Sequence, residues 1–230
     1  MTQFKIISKK EFLKKNKKPS QEKIWNEIAS SWKTYVVKKI QVVEEFLNNK
    51  KGKIIDMGCG AGRNFLPVKG IEYYGVDFSK NQLKNARKYV KINKIKARIY
   101  KSKLDNLNKK IFRDNIFDYG LFIGSLHCLE TEKERLDSLK ELYRVLKHKA
   151  EALISVWNYE DKRFSQIKNK EVYMSWKKER IIYMRYYYLY NKKEFLDLLK
   201  SVGFNISEFY KSKEHNRFSK KNWIVRVRKD

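Results

Sequence analysis

Cysteine is almost missing: Cys59 and Cys128 are the only two in 230 residues. Two are too few for a disulfide framework or for a zinc site built by this chain alone, and no metal is expected. No apolar run approaches the length needed to span a bilayer. Residues 1–18 are basic, but lack the apolar stretch of a signal peptide and the Arg/Ser pattern of a transit peptide. The default expectation is a soluble, cytoplasmic protein. Acidic side chains are scarce as well. Lys and Arg number 54 against 26 Asp and Glu, a formal charge of +28 with a pI near 9.9. Charge enrichment for heat stability usually raises Glu along with Lys. Here the acids lag, so most of the positive charge is uncompensated. Even set against a lysine-rich proteome as the ordinary explanation, an excess this large favours a polyanionic partner.

With 42% hydrophobic residues and a mean hydropathy of −0.73, the chain is globular with a very polar surface. Its length suits one α/β core, not two independent domains. Residues 1–20 are lysine-studded with little periodicity and read as a basic arm. Residues 21–230 read as a single domain, with no linker or internal repeat. Ile24, Trp25, Ile28, Ala29 and Trp32 recur at helical spacing, and Val36, Val37, Ile40, Val43, Phe46 and Leu47 form a second amphipathic run. Alternation follows. Strands are expected over 53–57, 71–76, 97–100, 117–124 and 152–157. Helices are expected from the glycine loop to about 67, over 80–92, over 131–146 and over 192–202, the last capped by Gly203. Strands at 206–210 and 223–228 close the chain. This pattern predicts an α/β fold: a doubly wound Rossmann-like sheet, mostly parallel, with a C-terminal antiparallel strand and N-terminal helices. Residues 158–190, rich in Lys, Arg, Tyr and Trp, read as a basic and aromatic insertion for substrate recognition.

The sharpest motif is Ile54-Ile55-Asp56-Met57-Gly58-Cys59-Gly60-Ala61-Gly62. An apolar strand delivers the chain to a turn where side chains would collide with a ligand, and glycines let backbone N–H groups approach it. A dinucleotide fingerprint, G-x-G-x-x-G, would need glycine where Arg63 stands. The shorter loop suits an amino-acid-plus-nucleoside ligand with no diphosphate. Gly75-Val76-Asp77 ends the next strand, at the offset where a carboxylate grips ribose hydroxyls.

These residues resemble the class I S-adenosylmethionine-dependent methyltransferases. The resemblance implies that Asp56, Gly58, Cys59, Gly60 and Gly62 line the methionine end of the cofactor and that Asp77 binds the ribose; Phe78, Ser102 and Gly124 complete the expected cofactor-binding set. The family often carries an Asp near the end of the third strand to hold the adenine amino group; Lys103 stands there, beside Ser102. A narrower likeness runs from the N-terminal helix to the last strand, to the methyltransferases that esterify a carboxymethyl group on the wobble uridine of tRNA. It rests on Trp25-Asn26-Glu27-Ile28-Ala29, on Leu126-His127-Cys128-Leu129-Glu130-Thr131 running into Glu141-Leu142-Tyr143-Arg144-Val145-Leu146, and on Val156-Trp157 followed by Arg185-Tyr186-Tyr187-Tyr188. The chain departs from that family where Thr-Arg becomes Tyr35-Val36, where His-His becomes His127-Cys128, and where a Pro-Gly-Gly turn becomes His148-Lys149-Ala150.

Methylating a carboxylate asks little of a general base, since the acceptor is already ionised at neutral pH. Positioning and desolvation govern the displacement. What the site needs is a cation or N–H donor that orients the acceptor, and His127 and Arg185 are the catalytic candidates. Each also has an ordinary reading: a satisfied, partly buried histidine, and a solvated charge packed on tyrosines. Lys168, Lys170, Lys177 and Lys178 are candidates for phosphate contacts, as are Lys9, Lys10, Lys14 and Lys15, with Tyr187 a candidate to stack on an unpaired base. The resemblance further implies a small zinc-binding activator protein that pairs along a sheet edge. Two other readings stay open: a methyltransferase acting on another RNA position, a protein or a small molecule, and a non-catalytic RNA-binding partner with a vestigial cofactor fold.

Overall fold

The computed structural model describes residues 5–35, 38–210, 218 and 221–230. In β2 (Gly52–Met57), Ile54, Ile55 and Met57 are all fully buried, so both faces of the strand are covered. A strand apolar on both faces belongs in the middle of a parallel sheet flanked by helices. It pairs in parallel with β3 (Ile71–Asp77) on one side and β5 (Phe117–Ile123) on the other. β4 (Ala97–Lys101) lies outside β3, and β6 (Leu146–Trp157) lies outside β5, both also parallel. β10 (Asn222–Lys229) runs antiparallel to β6 and to β9 (Phe204–Tyr210). The sheet order is therefore β4-β3-β2-β5-β6-β10-β9. The chain winds outward from β2 in one direction and from β5 in the other. Their adjacent C-terminal ends form the crevice where ligands bind such sheets.

One face of the sheet is covered by α6 (Glu132–Val145) and α7 (Lys192–Ser201), whose Leu139, Leu142, Phe195 and Leu199 pack with Ile55, Met57 and Phe122. The other is covered by α4 (Gln41–Leu47) and α5 (Lys80–Ile92), whose Val43, Phe46, Leu83 and Ala86 pack with Ile54, Leu121 and Ile123. The helices start where side chains satisfy the first N–H groups. Ser79 accepts from Gln82 N–H, Asn191 from Glu194 N–H, and Thr131 with Glu134 forms a capping box.

Two expectations are corrected, and the insertion carries elements that the sequence pattern did not assign. No helix follows the glycine loop; residues 58–64 are turns, because Gly58, Gly60 and Gly62 take φ of +74°, +52° and +85°, outside the helical region. β6 starts at Leu146 instead of 152, with Lys149 at φ +61° where the pairing with β5 is irregular. And the insertion is ordered. β7 (Glu171–Lys178) and β8 (Ile181–Tyr188) form an antiparallel hairpin, and β1 (Ile6–Ser8) adds to β7 as a third strand. The basic N-terminal segment is thus partly structured: β1 and α1 (Lys9–Leu13) fold onto the insertion. Val36 and Val37 lie outside the described residues; the helix expected from their run begins at Gln41.

α2 (Gln21–Glu27) and α3 (Ala29–Tyr35) bridge the two sheets. The Gln21 side chain accepts the Tyr186 N–H at 2.9 Å and donates to the Met184 carbonyl at 3.3 Å, serving β8 as a surrogate neighbouring strand. On its other side, Asn26 Oδ1 accepts from Ser79 Oγ at 2.9 Å and from Asn81 N–H at 3.0 Å, tying α2 to the start of α5. Among the described residues, no helix is long and apolar enough to cross a membrane.

Candidate active site

The crevice forms where the loops after β2 and β5 meet. Ser125 Oγ donates to the Gly58 carbonyl at 3.0 Å, and a Cβ at Gly58 would lie 2.4 Å from Ser125 Cβ. Only glycine permits this approach. Gly60 and Gly124 differ: both have positive φ, yet a Cβ on either would meet no atom within 4 Å. Their open faces are space the protein leaves for something else.

Two buried carboxylates flank this space. Asp77, at the end of β3, accepts the Gly60 N–H at 3.0 Å and the Ser79 N–H at 2.8 Å. Burial pushes its carboxyl up to about 6 despite those donors. Asp56, at the end of β2, accepts from Asn64 Nδ2 through both oxygens at 3.3 and 3.2 Å. Burial pushes it up to about 7, with the Asn64 amide opposing and the Asp77 charge adding. Phe78 is half-buried beside Asp77, and Ser102 N–H donates to the Asp77 carbonyl at 3.1 Å. Lys103 is exposed. Cys59 is buried and its thiol is held well above its ordinary range by burial, so it lines the loop as a neutral group.

On the other side of the loop after β5, His127 sits at 1% exposure in a short 3-10 turn. The Trp157 main-chain N–H donates to its Nδ1 at 3.3 Å. Burial, aided by the nearby Arg163 charge, drives its pKa down to about 3. The imidazole is therefore neutral, with its proton on Nε2. Its ring stacks on Trp157 at 5.0 Å between centroids, with Tyr187 at 5.7 Å. Arg185 is 2% exposed. Its guanidinium carbon lies 5.0 Å from the ring centroids of both Trp32 and Trp176, 5.3 Å from Tyr187 and 5.9 Å from Trp25. Planar guanidinium stacks well on such faces. Nη2 donates to the Ser175 carbonyl at 3.4 Å. Cys128 joins the two halves: its Sγ donates to the Gly124 carbonyl at 3.6 Å and its side chain packs in the cluster that holds Tyr187 and Trp157, while burial raises its thiol to about 12.

Comparison with known proteins agrees with this geometry. Residues 55–154 match the methyltransferase domain family. The chain is 26% identical to the tRNA (carboxymethyluridine(34)-5-O)-methyltransferase of Schizosaccharomyces pombe, over 90% of this chain and 95% of that one. It is 31% identical to the human probable tRNA methyltransferase 9B over 58% of this chain, but only 28% of that protein. A S-adenosylmethionine-dependent methyltransferase from Methanosarcina mazei superposes with a TM-score of 0.67 at 19% identity, covering 84% of this chain and 99% of that structure. Residues 55–154 form a methyltransferase domain, and S-adenosylmethionine is the cofactor.

For a methyltransferase of this class the residues fit the cofactor. The open faces of Gly60 and Gly124 form a cradle that Cβ atoms would fill, and buried carboxylates stand on either side of the glycine loop. Asn64, Ser79, Ser125 and Asn26 also shape the methyltransferase crevice, and none was singled out from sequence. Ser79 carries the local signal of a helix cap, whereas the contacts of Asn26 and Ser125 come from segments more than fifty residues away.

The expected RNA-facing residues divide. Lys168 and Lys177 are exposed. Lys170 pairs with Glu194 at 2.6 Å, and Lys178 Nζ donates to the Glu27 carbonyl at 2.7 Å. Tyr187 is corrected: it is 1% exposed and stacked on Trp157 at 4.0 Å, so it braces His127 and Arg185 from inside and does not face solvent. Lys9 pairs with Glu171 at 2.5 Å, while Lys10, Lys14 and Lys15 are exposed.

Proposed function

We propose that this methyltransferase acts on tRNA in the cytoplasm, forming the methyl ester of a carboxymethyl group on the wobble uridine. The observation that carries the reading is the desolvated Arg185 guanidinium in its aromatic cage, whose Tyr187 packs in one cluster with Cys128, itself within reach of the Gly124 carbonyl at the cofactor crevice. A cation withdrawn from water is a strong partner for an anionic acceptor, and flat aromatic neighbours suit a flat base. The near end-to-end match to the Schizosaccharomyces pombe enzyme supports the same substrate.

In this reading Asp77 holds the ribose, the backbone around Gly58–Gly62 and the Asp56–Asn64 pair hold the methionine end, and the main chain near Ser102 takes the adenine edge. The bound cofactor supplies an electrophilic methyl group on a sulfonium. Arg185 fixes the acceptor carboxylate, and the neutral His127 offers its Nε2–H as a hydrogen-bond donor. No group has to remove a proton, since the acceptor carboxylate is already ionised. Lys168 and Lys177 are the remaining phosphate contacts of the insertion; Lys177 pairs in register with the exposed Ile182 near the tip of the β7–β8 hairpin, and Lys168 precedes β7 at its other end. A small zinc-binding activator pairing along a sheet edge belongs to the same proposal, and β4 and β9 are the outer strands such pairing requires.

Two anticodon stem-loops test this reading, one with plain uridine at the wobble position and one with carboxymethyluridine. Methyl transfer only to the second supports it; transfer to both, or only to the first, moves the acceptor elsewhere.

A further inference from the structure

α5 contains no acidic residue. Lys80, Lys84, Arg87, Lys88 and Lys91 all fall within an arc of roughly 100° on its outer face, spread over about 16 Å of helix axis. All five are exposed, and together with Asn81 they line one shallow surface groove. The opposite face is ordinary core, with Leu83 and Ala86 fully buried. None of the five makes an ion pair among the described residues; Arg87 donates only to the Ile99 carbonyl, at 3.0 Å.

Such an arrangement costs stability. Lys80–Lys84, Lys84–Lys88 and Arg87–Lys91 are like-charge pairs at i,i+4, and each weakens the helix. Elsewhere this chain uses its acids to relieve that repulsion, as in Lys133–Asp137 on α6 and Lys193–Asp197 on α7. On α5 it does not. The groove also has a defined position. Its first cation, Lys80, follows Asp77 by three residues, and the same end of α5 is held by Asn26 of α2, the helix that carries Trp25 of the Arg185 cage. The stripe therefore starts at the lip of the crevice and leads away from it.

From this we infer that the outer face of α5 is a second nucleic-acid contact surface, binding the phosphate backbone of the tRNA as it leaves the site. This rests on the tRNA reading above and adds to it a surface outside the basic insertion. A row of unpaired cations about 16 Å long is complementary to several successive phosphates of one strand, and such contacts position the substrate without reading its sequence.

The test compares wild-type protein with the combined variant Lys84→Gln, Lys88→Gln, Lys91→Gln. A second variant, Lys109→Gln, Lys110→Gln, Lys200→Gln, loses the same charge from exposed positions off the stripe. Binding to full-length tRNA is measured across salt concentrations, with thermal melts to confirm folding. The α5 variant should melt no lower than wild type, because repulsion is relieved. Its plot of log affinity against log salt should flatten by about 2 to 3 in slope, with affinity down about tenfold or more at moderate salt while the control stays near wild type. Equal behaviour of the two variants overturns the inference and leaves the tRNA reading standing. A wild-type protein that binds no tRNA overturns the tRNA reading itself.

Discussion

The main-chain N–H of Trp157 donates to Nδ1 of His127, and this contact fixes which imidazole nitrogen carries the proton. With its pKa near 3, His127 stays neutral throughout the physiological range. The rate of methyl transfer should therefore show no inflection between pH 5 and 7 attributable to this residue. His127→Ala should leave cofactor affinity within about twofold and lower kcat on the order of a hundredfold, the usual cost of a lost site donor. Unchanged kcat would remove His127 from the mechanism.

Arg185 tests charge against shape. Lysine keeps the charge but cannot stack on Trp32, Trp176 and Tyr187 as a planar guanidinium does. Arg185→Lys should therefore recover little of the activity lost in Arg185→Ala, with calorimetry showing cofactor binding retained in both. Full activity in the lysine variant would mean that charge alone suffices.

The glycine loop offers a matched pair. Gly58→Ala forces a Cβ to 2.4 Å from Ser125 at φ +74°, so it should lower the melting temperature and expression. Gly60→Ala meets nothing within 4 Å and should cost only about 1 to 2 kcal/mol for its left-handed backbone. It should nevertheless weaken cofactor binding at least tenfold, because its Cβ enters the cradle. Thermal melts and calorimetry on both separate a packing role from a ligand-facing one.

Asp56 makes the stability of the cofactor-free protein depend on pH. Its carboxyl titrates near 7 when folded and near 3.8 when unfolded. Between those values the folded state holds a proton the unfolded chain has lost. The stability this group contributes is therefore fully present below about 3.8 and declines as pH rises toward 7. Asp56→Asn abolishes the titration. The difference in melting temperature, variant minus wild type, should grow more positive from pH 4.5 to 7.5; a difference independent of pH contradicts the assignment.

The sheet was legible because its strands are short apolar runs bounded by glycine loops and helices with recognisable caps. The cofactor crevice was legible because Gly58, Gly60, Gly62 and Asp77 lie within one β-α-β unit, where spacing determines geometry. The insertion was not. β8 carries aromatic or apolar residues on both faces, since one packs on the Arg185 cage and the other on Arg135 and Glu171, and this erases the two-residue period. Tyr187 illustrates the limit: its neighbours Trp157 and His127 are 30 and 60 residues away, and only the fold shows that it is interior. The α5 stripe was hidden differently, as its lysines were lost within a chain that has lysine almost everywhere.

The most direct measurement is transfer of labelled methyl from S-adenosylmethionine to total tRNA from a strain lacking this gene, with mild alkali treatment before nucleoside analysis. The account predicts label on a wobble uridine that alkali releases, as a methyl ester must. Alkali-stable label, or no label on tRNA by a protein that binds the cofactor, would contradict it.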